Sequence, residues 1–468
     1  MRRALVMVFA AGALGGCTLE PTYLRPAPAV PSSWPVGAAY PPAGPAASPS
    51  VRYQDIFRDP RLQHIMARAL ANNQDLQAAL ANVGIARAQY RVQRAQLLPN
   101  IGAAATAGES RNRSQTARSY EADLGFSAFE LDLFGRLRSL NHAAQQQYLA
   151  SEAGARTARL TLIAEVATAY LTLATDRSLL AVATDTEASA SKSVDLTRAR
   201  LAGGVAPRSD LSQAQTILYQ ARSDRADLTT ITAQDRNALD LLVGAAVPDA
   251  DLPGSIESLD GMLGELPAGL DSRILLRRPD VEQAEHQLRA ANAQIGAARA
   301  AFFPTIDLTA LAGVASPQLS ALFHSGSFVW SAQAAAAQTI FDGGANRGNL
   351  ALTKAQRDLA TAQYQKAIQT AFREVADALA RQGTIDEQMA AQTALEASAA
   401  DNYAVVQALY EQGVDSYLNA LDARRTLYSA RLSLASTRLV RAANLVTLYR
   451  SLGGEEAAPA SQAARGAS

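Results

Sequence analysis

The sequence predicts a mixed α and β fold in which one structural repeat occurs twice. Three observations support this prediction. The same short motifs recur in both halves of the chain, stretches of alternating apolar and polar residues follow a proline in each half, and a very long helical stretch follows the alternation. A repeat of this length is far longer than a solenoid unit. Each copy is therefore expected to form one half of a pseudo-symmetric body.

The matching motifs set the domain boundaries that we predict. Pro99 matches Pro304, Gly204 matches Gly413, and each copy reads as a helix, a strand pair, a long helix and a return helix. The predicted organisation is a signal peptide over 1–16, a lipidated extended segment over 17–59, a first repeat over 60–270, a second repeat over 271–453 and a disordered tail over 454–468.

The composition excludes several classes of function. The 468-residue chain has 48% hydrophobic residues and a formal net charge of zero, without a basic stripe, so we expect no nucleic-acid partner. Its four histidines are far apart in the sequence, and no metal-ligand or nucleophile–base spacing is visible. We therefore expect neither an enzyme nor a bound cofactor.

The first residues resemble a targeting signal. Arg2 and Arg3 precede an apolar run over 4–14 that is too short to span a bilayer. The run leads to Cys17, the only cysteine, in a Leu-Gly-Gly-Cys segment that resembles a bacterial lipobox and implies acyl chains on Cys17. Thr18, in place of Asp, then implies sorting to the outer membrane. The alternative is a secretory signal followed by a chance cysteine.

The segment over 17–59 is rich in proline. We expect it to be extended and unable to form a core alone. Tyr23 and Trp34 indicate that part of it lies against the protein surface. Upstream of Pro99 and of Pro304, a helical pattern is predicted over 60–98 and 279–303, and each proline ends its helix.

Beyond each of these prolines the apolar period changes to two, which is typical of a sheet with one apolar and one polar face. A soluble sandwich and a membrane barrel both give this pattern. The predicted sorting to the outer membrane favours the barrel. Four strands cannot close a barrel, because even a barrel filled with side chains needs about eight strands. The chain is then expected to share a barrel with copies of itself. The residues expected to face lipid are Tyr120, Leu124, Phe126, Phe328 and Trp330.

Each strand pair is followed by a helical stretch without proline, from about 135 to 201 and from about 345 to 412. Roughly 65 residues make a helix close to 100 Å long. Helices of this length belong to coiled coils or packed helical walls. Each ends at a glycine turn, and a return helix follows over 208–243 or 416–452. The tips of the two turns are Gly203, Gly204, Val205, Gly413 and Val414.

Several motifs together resemble the outer-membrane efflux factor family of the TolC/OprM type, in its lipoprotein branch. These motifs are Cys17 with Pro21-x-Tyr23-x-Arg25-Pro26, Glu130-Leu-Asp-Leu-Phe-Gly135, Leu-Arg-Arg278-Pro279-Asp280-Val, Phe341-Asp-Gly-Gly344 and Tyr410-Glu-Gln-Gly413-Val-x-Ser-Tyr-Leu-x-x-Leu421-Asp422-Ala423. The resemblance covers residues 17 to 453. The last motif and the Arg-Pro-Asp motif are the most specific.

The resemblance implies a homotrimer in the outer membrane of a Gram-negative bacterium. Each protomer would contribute four strands to one twelve-stranded transmembrane β-barrel, and its helices would continue the barrel as a long α-helical tunnel in the periplasm. A periplasmic adaptor (membrane fusion) protein and an inner-membrane pump of the RND type would load the duct. Small molecules such as drugs would leave passively, with outer-membrane lipid around the barrel and acyl chains on Cys17.

The resemblance also implies a periplasmic gate at the second glycine turn. Acidic side chains line the tip in the family, and the matching positions are Asp415, Asn419 and Asp422. These fall on one face of a helix start, and three copies of Asp422 would form a negative ring that selects cations and resists closure. Asn419 stands where some members of the family have Asp, which reduces the ring to one or two acidic layers.

The sequence also offers candidates for closing the tip, and an alternative role for Asp422. Arg208 and Asp210, near the first turn, are candidates for holding the tip shut. For Asp422 the alternative to a gate is a solvated helix face, or a local salt bridge with Arg424 or Arg425.

Other classes of function remain as alternatives. A periplasmic coiled-coil adaptor or scaffold lipoprotein would also carry paired long helices and a lipid anchor, but it would carry the helices once, between two halves of a β domain. The exit duct of a type I secretion system is a further alternative. A lipid-anchored soluble enzyme is disfavoured, because no catalytic constellation is visible.

Overall fold

The computed structural model describes residues 18–41, 52–112, 115–262, 264 and 272–454. The predicted signal peptide, Cys17 and the tail beyond 454 lie outside the described residues. The helices are α1 (Tyr53–Ile56), α2 (Pro60–Asn72), α3 (Gln74–Ala95), α4 (Arg136–Ala202), α5 (Arg208–Val243), α6 (Pro279–Ala300), α7 (Ala345–Glu411) and α8 (Tyr417–Ser451). The strands are β1 (Gly102–Asn112), β2 (Gln115–Glu130), β3 (Thr305–Ser316) and β4 (Phe328–Ala337).

The duplication is visible in the lengths of the helices. The long helices α4 and α7 have 67 residues each. Their return helices α5 and α8 have 36 and 35 residues. The order of helix, strand pair, long helix and return helix is the one that the sequence predicts for each copy. In the described part of the chain, no helix combines the length and the hydropathy that a membrane-spanning helix needs.

The helix predicted over 60–98 is wrong in one respect, because it is two helices that meet at Asn73. The backbone N–H of Asn73 still donates to the carbonyl of Ala69, but its ψ of 127° is extended and ends α2. Its side chain then caps α3 by accepting from the Leu76 N–H at 2.9 Å, and its amide donates to the Leu242 carbonyl at 2.9 Å. Asparagine competes with the helical backbone in this way, which the apolar period does not reveal.

The chain divides into two compact units, and each draws on both repeats. The first unit comprises Met1–Pro28, Ala81–Ala153 and Glu282–Lys366. The second comprises Ala29–Leu80, Gly154–Val281 and Ala367–Ser468. Of these ranges only the described residues are discussed below.

The first unit contains an antiparallel sheet in the order β1-β2-β3-β4. Residues directly opposite one another in such a sheet lie on the same face. Leu124 pairs with Ala312, which pairs with Trp330, and the next row contains Ala122, Val314 and Phe328. Tyr120 and Phe126 belong to the same face as Leu124 because they differ from it by an even number of positions. The five residues predicted to face lipid therefore share one face of the sheet.

The opposite face carries most of the polar residues of the sheet, including Glu121, Asp123 and Ser331. A β-bulge between Phe126 and Phe129 keeps both aromatic rings on the apolar face, where they lie 6.2 Å apart edge to face. The extra residue leaves Ala128 with a φ of 53°, and its N–H donates to the Thr309 hydroxyl at 3.1 Å. This bulge is not apparent from the alternation in the sequence.

The described residues of the segment predicted to be extended over 17–59 pack on the protein within each unit. In the first unit, Arg25 donates to both carboxylate oxygens of the buried Glu285, at 2.9 and 2.7 Å, and the Tyr23 hydroxyl donates to the same carboxylate at 3.2 Å. In the second unit, the Trp34 ring stacks on Phe372 with centroids 5.1 Å apart. The segment is not extended throughout, because Tyr53–Ile56 forms the short helix α1.

In the second unit, the Arg-Pro-Asp motif lies where three helices meet. Arg278 is 6% exposed. Its guanidinium makes two hydrogen bonds to Asp280, at 3.0 and 2.8 Å, and a third to Glu374 of α7 at 2.9 Å. Its remaining nitrogen donates to the carbonyl of Ser451, the last residue of α8, at 2.7 Å. Pro279 occupies the first position of α6, where a missing N–H costs nothing. One side chain thus joins the start of α6 to α7 and α8.

A carboxyl pair between α4 and α5 predicts how stability depends on pH. Burial and the neighbouring Asp235 raise the pKa of Asp176 to about 7, and one oxygen of Asp235 is buried without a hydrogen-bond partner in the described part of the chain. An unfolded Asp has a pKa of about 3.9, so the folded protein holds more protons between about pH 4 and 7. Stability contributed by this pair is therefore present at low pH and falls as the pH rises through that window.

We expect Asp235→Asn to raise the thermal unfolding midpoint at pH 8 by about 2–4 °C, because the amide removes the repulsion between the two carboxylates. The difference from the wild type should become smaller toward pH 5, where Asp176 of the wild type is protonated and the repulsion is already absent. Asp227→Asn, at an exposed position of the same helix, is the control. A difference that stays constant from pH 5 to pH 8 would contradict the shared proton.

Candidate gate at the two helical turns

The two glycine turns have the same backbone geometry. Gly204 and Gly413 adopt φ angles of 75° and 80°, which strongly favour glycine. The N–H of Val205 returns to the Arg200 carbonyl at 3.0 Å, and the N–H of Val414 returns to Leu409 at 2.9 Å. Such bonds satisfy the free carbonyl groups at a helix end. The predicted tip residues Gly203, Gly204, Val205, Gly413 and Val414 are all exposed.

The second turn brings two of the predicted gate residues into contact. Ser416 caps α8 by accepting from the Asn419 N–H at 3.3 Å. One carboxylate oxygen of Asp415 accepts from the Ser416 N–H and from the Asn419 side-chain amide, both at 2.7 Å. The side-chain amide of Asn419 therefore binds the negatively charged carboxylate of Asp415 in the same chain. The carboxylate also lies at the start of a helix, where the helix dipole favours negative charge.

Asp422 lies one turn further along α8 and is exposed. Within the described residues its carboxylate makes no ion pair and no side-chain hydrogen bond. The proposed salt bridge with Arg424 is not formed, because Arg424 points into the protein and contacts hydroxyl groups instead. Arg425 is exposed and likewise makes no ion pair in the described part of the chain. Asp422 thus presents a free negative charge on the surface of each chain.

The turn rests on an apolar cluster that both repeats supply. The buried members are Ala190, Val194, Ala214, Leu218, Tyr410, Tyr417, Ala420 and Leu421. The rings of Tyr410 and Tyr417 meet edge to face with centroids 5.3 Å apart, and the Tyr410 hydroxyl shares a 3.0 Å hydrogen bond with Thr197. Burial raises the pKa of Tyr417 to about 12, so this phenol stays neutral. The two tyrosines are packing residues in this structure.

Arg200 is a residue of the tip that the sequence analysis missed. Its guanidinium lies over the Tyr410 ring, 4.4 Å from the centroid, and donates to the carbonyls of Tyr410 and Glu411 at 2.8 and 3.1 Å. It therefore binds carbonyl groups at the end of α7 from the neighbouring helix α4, where a cation also interacts favourably with the helix dipole. The only indication of this role in the sequence is that Arg200 is a basic residue in the last turn of α4. That position predicts a contact with the last carbonyls of α4, whereas Arg200 binds those of α7.

Among the described residues, no hydrogen bond or ion pair joins Arg208 or Asp210 to the predicted gate residues. Arg208 is exposed at the start of α5 and makes no ion pair among the described residues. Asp210 accepts a long 3.4 Å hydrogen bond from the adjacent Ser209 and lies near enough to Tyr417 to contribute to its raised pKa. Their role in closing the tip therefore stays a prediction.

The chemistry of this region is electrostatic. No group of histidine, cysteine or acidic side chains that could hold a metal ion occurs in the described part of the chain. The exposed carboxylate of Asp422 and the partly buried one of Asp415 can attract cations and repel anions, and they can repel their own copies.

The comparisons with known proteins agree with this geometry. The family described as "Outer membrane efflux protein" matches residues 65–245 and 270–454. The chain is similar to the antibiotic efflux pump outer membrane protein ArpC of Pseudomonas putida and to the toluene efflux pump outer membrane protein TtgC of the same species. Each of these relatives is 44% identical over 451 residues, covering 94% of this chain and 93% of the relative. 

The fold is also that of a solved channel. The open state of the MtrE outer membrane channel of Neisseria gonorrhoeae superposes with a TM-score of 0.85 at 34% identity, covering 94% of this chain and 98% of the channel. The fold class is therefore that of the trimeric outer membrane channels, with mixed α and β structure, an internal duplication and a four-stranded sheet in the described residues.

The fold and the tip thus define a channel protein of the outer membrane. The chain belongs to the outer membrane efflux protein family. It is the outer membrane component of an efflux pump, and the alternative of a periplasmic scaffold is set aside.

Proposed function

We propose that three copies of this chain form one duct, in which each contributes four strands to a shared twelve-stranded barrel. The observation that supports this most directly is the sheet itself. It has one apolar and one polar face, and in the described residues β1 and β4 each have a strand partner on one side only. Unpaired strand edges are not tolerated in lipid, and four strands are too few to close around water. Pairing of β1 with β4 of a neighbouring copy satisfies both conditions.

We propose further that the helical tips bind a periplasmic adaptor protein, which connects the duct to an inner-membrane pump of the RND type. Val205 and Val414 are 77% and 72% exposed at the two turns. Apolar side chains exposed at both tips, beside backbone groups that glycine leaves accessible, form a surface suited to a helical partner. In this arrangement Cys17 carries acyl chains that anchor the chain to the outer membrane.

The substrates that we propose are small, largely apolar molecules such as antibiotics and aromatic solvents. The names of the relatives support this class over secreted polypeptides, because two of those relatives serve pumps for antibiotics and for toluene. The duct carries out no reaction on them. Its own contribution is a water-filled path and a charged constriction at Asp422.

Planar-bilayer recording on the purified, detergent-solubilised protein tests the proposal. We expect a particle with the mass of three chains, and discrete conductance steps that disappear after the trimer is dissociated by heat. The heat-dissociated sample is the matched control, since it contains the same chains at the same concentration. A monomer without conductance before heating would overturn the shared barrel.

A further inference from the structure

Arg424 is a buried cation in the second unit. Its side chain leaves α8 two positions after Asp422 but turns inward, and the residue is 7% exposed. The two hydrogens of Nη2 are shared among the hydroxyls of Tyr403, Ser193 and Ser189, which lie 2.7, 2.8 and 3.1 Å from this nitrogen, and Nε donates to Tyr403 at 3.2 Å. The guanidinium therefore bridges α8 to α7 and to α4.

All of these partners are neutral. Among the described residues Arg424 makes no ion pair, although a buried guanidinium normally has a carboxylate beside it. The neighbouring Arg431 is already paired with Glu396 at 3.2 Å. The Tyr403 ring, 5.3 Å from the Arg424 guanidinium carbon, offsets part of the charge through its π face. No carboxylate of the described residues therefore supplies a full counter-charge for Arg424.

A small cavity opens beside this cation. It has a volume of about 60 Å³ and is lined by Asp185, Thr186, Ser189, Tyr403, Arg424, Leu427, Tyr428 and Arg431. A water molecule needs about 10–15 Å³ of such space, so a small ion fits and a large organic anion does not. The lining contains two guanidinium groups and one carboxylate, that of the exposed Asp185.

The hydroxyls around the cavity leave a donor available. Tyr403 and Ser189 share one hydrogen bond at 3.2 Å, and both accept from Arg424. Only one of their two hydroxyl hydrogens is used between them, so the other is free to donate. A cationic side chain with a hydroxyl donor next to it is a suitable environment for an anion.

We propose that this cavity binds a small monovalent anion, with chloride as the ligand, and that the anion supplies the counter-charge of Arg424. The bound ion would strengthen the contact of α8 with α4 and α7, a few residues from the exposed Asp422. The site goes beyond the proposed duct function, because it is a binding site in each chain and does not depend on transport.

Thermal unfolding of the full protein in sodium chloride and in sodium gluconate, at equal ionic strength, tests this site. We expect the midpoint to rise by about 2–4 °C in chloride and to saturate as chloride replaces gluconate. Arg424→Gln should lose this chloride-dependent rise, whereas Arg425→Gln, at the adjacent exposed position, should keep it. Asp185→Asn should shift the half-saturating chloride concentration downward several-fold, because it removes the carboxylate from the lining.

The wild type alone can overturn the proposal. A midpoint that is the same in the two salts, or that changes linearly without saturation, would show that the cavity binds no chloride. Loss of stability in Asp185→Asn in both salts would instead identify Asp185 as the counter-charge of Arg424. As an independent measurement, crystals of the wild type soaked in bromide should give an anomalous peak beside Arg424, and its absence would also contradict the site.

Discussion

Asp422→Asn is expected to reduce the cation preference of the channel by several-fold, which is the largest functional effect that we predict for a single substitution. In the proposed trimer this change removes three negative charges from one constriction, where a ring of carboxylates selects cations. Asp422 has no partner in the described part of its own chain, so its charge is not neutralised locally. The measurement is the reversal potential of the reconstituted trimer across a salt gradient. The effect should diminish at high ionic strength, since salt screens the ring.

Two control variants separate the ring from the total charge. Asp195→Asn makes the same change at an exposed position of α4 that is paired with Arg198, and it should leave the reversal potential unchanged. Asp415→Asn should have a smaller effect than Asp422→Asn, because Asp415 is already bonded to Asn419 and to the Ser416 N–H. Equal selectivity in Asp422→Asn and the wild type would rule out Asp422 as the selective ring and leave the duct itself untouched.

Arg278→Leu is expected to destabilise the protein by about 3–5 kcal/mol, the largest stability effect that we predict. The substitution leaves the carboxylates of Asp280 and Glu374, and the carbonyl of Ser451, without the guanidinium that now satisfies them. For a chain of 468 residues such a loss lowers the unfolding midpoint by about 3–5 °C, because the midpoint shift per kcal/mol becomes smaller as the chain becomes longer. Circular dichroism at the helix band, followed with temperature, measures it.

The adjacent Arg277 provides the control, because it is exposed and makes no ion pair among the described residues. Arg277→Leu should change the midpoint by less than about 2 °C. Adding Glu374→Gln to Arg278→Leu should recover part of the loss, since it removes one of the unpaired charges. Equal unfolding midpoints for Arg278→Leu and Arg277→Leu would show that the hydrogen bonds of the Arg278 guanidinium do not stabilise the protein.

Much of the fold was predictable because it depends on residues close together in the sequence. The period of two in β2 and β4 predicted the strands and put Tyr120, Leu124 and Trp330 on one face. The glycine turns predicted the ends of the long helices to within a residue or two. Two local features of the backbone were not predicted from the sequence. The cap at Asn73 divided one expected helix, and the bulge at Ala128 was not foreseen.

The candidate gate was predictable only in part. The sequence placed Asp415, Asn419 and Asp422 together at the start of one helix, which the structure shows as α8 and the turn before it. It did not indicate that the Asn419 amide binds Asp415, nor that Arg200 of α4 binds carbonyl groups at the end of α7. Those contacts depend on side-chain direction and on which helices become neighbours, and neither is encoded in spacing along the chain.

By itself, the sequence determined the duplication, the alternation of strand faces and the positions of the glycine turns, since each follows from covalent spacing and backbone preference over a few residues. The tertiary structure alone decided what surrounds each charged side chain. Arg424 and Asp422 are two positions apart on one helix, yet one is buried among hydroxyls and the other is exposed. The physical reason is the helical period: two positions turn a side chain by about 200°, and only the packing of α4 and α7 decides which side becomes the interior.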